Sequence, residues 1–201
     1  MTQAGLRESK REATAHALAQ AAFDLARTRG LNGFVIDDVA ERAGYSRRTF
    51  ANHYSCKEAA VASVAYASME AATSALEEVS DAVPLLDATQ TVLRLQLTTA
   101  ALSRMREVMT LARSYPSLEP HVHHVQHRMR LEAEQRMLAV AAGRYPTLYV
   151  SLLCGAVYGM VSAALEGLVD VRLPGDSSRR PNAMEFDDYL SDVFKHLRTG
   201  F

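Results

Sequence analysis

The stretch from Val35 to Glu58, VIDDVAERAGYSRRTFANHYSCKE, constrains the fold more than any other part of the chain. Ile36, Val39, Ala40 and Ala43 recur at helical intervals and leave Asp37, Asp38, Glu41 and Arg42 for solvent, so the segment reads as a short helix with one face to bury. Gly44 supplies the residue that takes positive φ at a helix end, and Ser46 stands where its hydroxyl can cap the N–H groups of a following helix. In that second helix Phe50 and Tyr54 lie four apart and anchor inward, while Arg47, Arg48, Thr49, Asn52 and His53 are polar and at least partly outward-facing. Two short helices joined by a glycine turn, the second opening on adjacent arginines, have the shape of a helix-turn-helix, whose second helix enters a DNA groove. Arginine there suits the acceptor pair of guanine; the competing uses are phosphate contact alone, or an ion pair with Glu41 or Asp38.

From Leu6 to Glu58 the chain resembles the DNA-binding domain of TetR-type transcriptional regulators: a basic start, LRESKREA, a long amphipathic helix ending in ARTRG, then DDVAERAGYSRRTF and NHYSCKE. The resemblance implies an all-α protein. A three-helix helix-turn-helix DNA-binding domain would occupy residues 1–56, and a helical effector-binding and dimerisation domain residues 57–201. It implies a homodimer on double-stranded, palindromic operator DNA, acting as a repressor that a small-molecule effector releases. The residues expected to meet DNA are Tyr45, Ser46, Arg47, Arg48, Thr49, Asn52, His53 and Lys57, with His53 and Lys57 at the family's usual phosphate-contacting positions. The chain also departs from the pattern. Val35 replaces a common Thr, Ala51 a common Tyr, and Tyr45 a smaller aliphatic; Cys56 replaces a capping Ser, with Ser55 one place earlier as a substitute cap. Only the missing Thr and Tyr favour the alternative, a dimeric helical ligand- or metal-binding sensor with weak or vestigial DNA binding, and the intact Arg47, Arg48, His53 and Lys57 argue against it.

Charge adds little on its own. The net charge is −1, divided between nine Lys/Arg against seven Asp/Glu in residues 1–60 and thirteen against sixteen in residues 61–201. Affinity for DNA must therefore come from local placement of Arg7, Lys10, Arg11, Arg47, Arg48 and Lys57, not from a global positive field. Cys56 and Cys154 stand far apart without a CxxC pattern, and the N-terminus is polar with no apolar signal core, so free thiols and a cytoplasmic location are expected.

The remaining punctuation predicts more helices. The first runs from about Lys10 to Arg29, with Ala17, Leu18, Ala21, Phe23 and Leu25 inward and Gly30 closing it. Lys57 to about Ser80 reads as a connecting helix. Pro84 opens a segment running through Leu93, Leu95 and Leu97 toward Ala100, and helical character continues from Leu102 to Tyr115, up to a break at Pro116 and Pro120. A further helix spans Val122 to Ala142 before Gly143, and Glu185 to Leu197 forms the last. Leu173 to Asn182, LPGDSSRRPN, is a loop, and no strand-length alternating run is present. Pro146 to Leu165 carries no charged residue and is long enough for a bilayer, but its small and hydroxylated residues favour a helix buried against its own domain on one side and a partner on the other.

Met105, Met109, His127, Met137, Tyr149 and Met160 are spread over the helices expected to surround an effector, since methionine adapts to irregular apolar ligands. HVHHVQH, His121 to His127, places imidazoles three and four apart, close enough to share a metal on a helix, yet no acidic or thiol ligand lies inside it; no metal or other cofactor is expected. A glycine-rich phosphate loop, GxSxG and HExxH are all absent, and nothing points to an enzyme.

Overall fold

The computed structural model describes residues 3–65, 75, 82–174 and 182–200. They fall into two compact units, Met1–Ala67 with Glu107–Val125, and Ser68–Arg106 with Gln126–Phe201.

In the first unit, α1 (Gln3–Arg29) is longer than the apolar pattern alone predicts, because its first turns extend beyond the buried stripe. From Leu18 onward that stripe is fully inward: Leu18, Ala19, Ala21, Ala22, Phe23, Leu25 and Ala26 are all buried. Gly30 ends the helix at φ 72°, a conformation that favours glycine, and a Cβ there would stand 2.5 Å from the Tyr115 hydroxyl, which would have to move aside. A single 3₁₀ turn, Leu31–Gly33, leads to α2 (Ile36–Ala43), α3 (Arg47–Ala51) and α4 (Lys57–Ser63). Parts of two later helices complete the unit: α6 (Thr99–Ser114) and α7 (Glu119–Ala141) contribute Val108 and Val122 to the same core as Phe23, Leu31, Val39, Phe50 and Val61, and Leu118, just before α7, joins them. Tyr54 ties the packing together. Its hydroxyl donates to the Ala15 carbonyl at 3.0 Å and accepts from Ser63 at 3.0 Å, joining α1 to α4.

The second unit contains α5 (Leu85–Gln96), α8 (Thr147–Glu166), α9 (Phe186–Thr199) and the remainder of α6 and α7. The chain leaves helical geometry at Leu97 (ψ 58°), so the expected run toward Ala100 is broken. The reason is local: the Thr98 hydroxyl accepts the Ala101 N–H at 3.3 Å and starts α6. Pro120 likewise does not break a helix but lies in the first turn of α7, where its missing N–H leaves no hydrogen bond unmade. Of the expected connecting helix, residues 57–63 are helical as α4, and its continuation from 66 to 80, residue 75 excepted, lies outside the described residues, as do 175–181 of the expected loop.

Two apolar clusters fill this unit. Leu85, Ala88, Val92, Met137 and Val150 belong to one, and Leu93, Leu102, Met160, Leu190 and Phe194 to the other. α8 serves both, through Val150, Leu153 and Cys154 in the first and Met160 and Ala164 in the second. Among the described residues it is the one helix long and apolar enough to cross a membrane, but one of its faces is core. Its other face is open, with Leu148 70% and Leu152 64% exposed. Arg198 holds α9 to α5 through Asp87 at 2.6 Å and Gln90 at 2.5 Å. Beside the helices lies one small strand pair, β1 (Val171–Arg172) parallel with β2 (Met184–Glu185). Two residues each are too few to show alternation in a sequence.

Candidate nucleic-acid interface

The geometry of the turn follows from its residues. The Asp38 carboxylate reaches back to accept the Val35 N–H at 2.7 Å, one half of a capping box; Val35, having no polar side-chain atom, cannot supply the other half. Gly44 sits at φ 74° and its N–H bonds to the Glu41 carbonyl at 3.0 Å, closing α2. Ser46 then caps α3 as its position predicts, its hydroxyl accepting the Thr49 N–H at 3.0 Å and meeting the Thr49 hydroxyl at 2.9 Å. Phe50 is fully buried and holds the short helix in place.

With Phe50 turned inward, Arg47 and Arg48 project into solvent. Arg47 pairs with Asp37 at 2.9 Å, and not with Asp38 or Glu41, which sequence spacing also allowed. The pair is open, its side chains 68% and 59% exposed, and such pairs are worth only about 0–1 kcal/mol, so the guanidinium is readily surrendered to a phosphate or a base. Arg48 has no ion pair among the described residues. Asn52 is exposed beyond the end of α3, and Thr49 is half-buried behind its hydroxyl contact. His53 is half-buried, and burial first, the nearby Arg11 second, push its imidazole below the ordinary value of 6.5.

Two residues differ from a simple solvated reading. Lys57 donates to the Phe34 carbonyl at 2.9 Å and lies 4.9 Å from the centre of the Phe34 ring, so its ammonium is positioned by its own unit with two donors left over. Sequence could not supply this, because Phe34 is 23 positions away and carries no polar signal. Tyr45 is partly exposed beside the turn, its hydroxyl 3.5 Å from that of Thr14.

At α4 the cap is a correction. Ser55 is not the substitute: the Cys56 thiol itself accepts the Ala59 N–H at 3.4 Å, and the Ser55 hydroxyl donates to that sulfur at 3.9 Å. His121 approaches the same sulfur, Nε2 to Sγ 3.5 Å, a long-range contact no spacing rule reveals.

The six residues expected around an effector are not brought into one cluster. Met137 and Met160 are buried in separate apolar clusters, Met105 is buried one turn from the half-buried Met109 on α6, and His127 is exposed. Tyr149 stacks on Tyr145, ring centres 5.3 Å apart, and is pushed above its ordinary value by burial, then by Tyr145 and Asp87. Of the histidine run, His123 meets Glu119 at 3.6 Å, and no group of three metal-ligating side chains occurs among the described residues.

Comparison with known proteins bears on the same segment. Residues 18–64 match the family described as bacterial regulatory proteins, tetR family. No curated protein matches the chain. Among solved structures, the chain is similar to a transcriptional regulator from Rhodococcus sp. Rha1, with 23% identity, TM-score 0.51, and 90% of this chain and 91% of that one covered. It is similar also to a Clostridium perfringens protein described as a fatty acid metabolism regulator, with 16% identity, TM-score 0.51, and 92% and 98% covered. At these identities the two structures show a shared all-helical fold.

Proposed function

We propose that this chain is a tetR-type helix-turn-helix transcriptional regulator that binds DNA, on the strength of the family match over residues 18–64 and the geometry of α3. It acts in the cytoplasm as a homodimer that presents two α3 helices to successive major grooves of a palindromic operator. The observation that carries this reading is the solvent-facing pair Arg47 and Arg48 at the capped start of α3, held outward by Phe50. Arg48 reads base edges, Arg47 leaves Asp37 to do the same or to bind phosphate, and Ser46, Thr49, Asn52 and Tyr45 fill in around them. Lys57, already set by Phe34, and His53 meet the backbone.

Dimerisation is supported by the open face of α8. Leu148, Leu152, Gly155 and Gly159 recur at helical spacing, the two leucines are exposed, and a Cβ on either glycine would meet nothing within 4 Å. That face has room for a second helix at close approach and buries apolar surface when it gets one. A small-molecule effector enters the second unit among the helices carrying Met105, Met137, Tyr149 and Met160, and shifts the segment after α4 so that the two recognition helices no longer fit the operator. Repression relieved by ligand is the resulting output.

Selection of DNA from a random-sequence pool by the purified full chain tests the reading. A palindrome with half-sites about 10 base pairs apart, or a multiple of that, is expected from the dimer geometry. No enrichment by a folded dimer would overturn it in favour of a ligand sensor with a vestigial DNA domain.

A further inference from the structure

α1 changes character along one of its faces. Positions 7, 11, 14, 18, 21 and 25 follow one another at intervals of three and four and so lie on one side of the helix. From Leu18 on, that side is apolar and buried. Before it, the same side carries Arg7 and Arg11, with Lys10 at its edge, and every residue from Gly5 to Ala13 is exposed. Glu12 falls on a different side, and Glu8, three residues before Arg11, forms no ion pair with it. None of the three cations has an ion pair among the described residues.

Two cross-contacts fix where this side looks. The Thr14 hydroxyl lies 3.5 Å from the Tyr45 hydroxyl, and the Ala15 carbonyl accepts the Tyr54 hydroxyl at 3.0 Å. Tyr45 immediately precedes the cap of α3 and Tyr54 follows its end, so the basic side of α1 faces the region where the helix-turn-helix stands. Arg11 is close enough to contribute to the lowered imidazole of His53, after burial. The three cations therefore extend the positive surface of α3 away from the recognition helix along the axis of α1. From Thr14 to Arg7 the helix rises by about 10 Å at 1.5 Å per residue, which is about three base-pair steps at 3.4 Å along one strand.

We propose that the free N-terminal turns of α1 form a second DNA-contacting surface, in which Arg7, Lys10 and Arg11 bind phosphates flanking each half-site without reading sequence. The inference rests on the operator-binding reading above. Long, unsupported Lys and Arg side chains on an exposed helix lack the fixed geometry that base discrimination needs, but they suit phosphates, where position tolerances are wide. The consequence is a footprint longer than the palindrome and affinity that depends on flank length but not on flank sequence.

The test uses the full chain and the operator it selects, as a trimmed palindrome and with flanks added on both sides. The wild type is expected to bind the flanked duplex at least about tenfold more tightly at moderate salt, with a steeper salt dependence. The triple variant Arg7→Ala, Lys10→Ala, Arg11→Ala is expected to lose that gain while selecting the same palindrome, its salt slope falling by about 0.9 for each phosphate it no longer neutralises. Arg7→Lys with Arg11→Lys keeps the charges and is expected to retain the gain, which separates charge from helix integrity. Unchanged flank dependence and salt slope in the triple variant would overturn the inference while leaving the operator-binding reading intact. Failure of the wild type to select any DNA would overturn both.

Discussion

The first unit and the open face of α8 illustrate two different ways in which a sequence encodes function. Around α2, α3 and α4 four helix ends are closed by a residue within a few positions: Asp38 on the Val35 N–H, Gly44 at positive φ, Ser46 on the Thr49 N–H, Cys56 on the Ala59 N–H. The exposed side of α3 is thus assembled from local rules and presented by a core. On α8 the local rules give only a helix. What that helix does depends on which of its faces the rest of the chain covers, and the uncovered one becomes informative only when burial is known. A site built from local signals can be read residue by residue, whereas one built from leftover surface cannot.

The largest loss is expected at the buried residues beneath these caps. Phe50→Ala removes a fully buried ring under a helix of five residues, and is expected to cost about 3–5 kcal/mol. If the first unit is as self-supporting as its caps imply, calorimetry or chemical denaturation will show this loss, and DNA binding will disappear with it. A loss below about 1 kcal/mol would mean that α3 is positioned by its caps alone.

The reciprocal experiment acts on α8. Leu148→Arg combined with Leu152→Arg puts two charges on the open face without touching the Val150, Leu153 or Cys154 side of the helix. Light scattering is expected to show monomers, corresponding to at least about 2 kcal/mol lost from association. The thermal stability of the separated chain should change little, since exposed positions away from the core contribute about 0.5 kcal/mol or less. An unchanged dimer would show that the interface lies elsewhere.

How much of this was legible in the sequence follows the same division. The order of helices, the glycine turn, the Ser46 cap and the inward Phe50 and Tyr54 were readable because each depends on neighbours within a helical turn or two. The Thr98 cap that follows the Leu85 helix was equally local but lay inside a leucine-rich run that masked it. The partners of Arg47, Lys57 and Cys56 were not readable in the same way. Asp37 was one of several acids within reach, while the Phe34 carbonyl and His121 come close only through the tertiary fold. Which residues would meet an effector is least legible of all, because an apolar side chain reads the same whether it packs in a core or lines a cavity.

A smaller effect is expected at the cap of α4. Sulfur is a weak acceptor, so Cys56→Ser should retain or slightly raise stability, whereas Cys56→Ala should cost about 1 kcal/mol by leaving the Ala59 N–H without its partner. Equal stabilities of the two variants would show that the His121 contact, and not the cap, is what Cys56 contributes.

The smallest effect concerns His53, where the two kinds of encoding meet: its position is set by α3, but its protonation is set by burial first and by Arg11 second. Both hold the imidazole below 6.5, so the free protein carries it neutral at pH 7. For folding, the sign is unfavourable on the acid side. The unfolded chain binds the proton more readily, and the associated stability is present above pH 6.5 and declines as pH falls below it. For DNA the sign reverses. A phosphate beside the ring favours the charged form, so binding takes up a proton and affinity should rise as pH is lowered from about 7.5 toward about 6, by no more than about tenfold per unit for each His53 engaged. Titrations of operator binding against pH will show this rise, and His53→Gln should flatten it while keeping a hydrogen-bond donor for the phosphate. A rise that survives the substitution would assign the proton to another group and leave His53 as a packing residue against Tyr54, whose ring centre is 6.5 Å from its own.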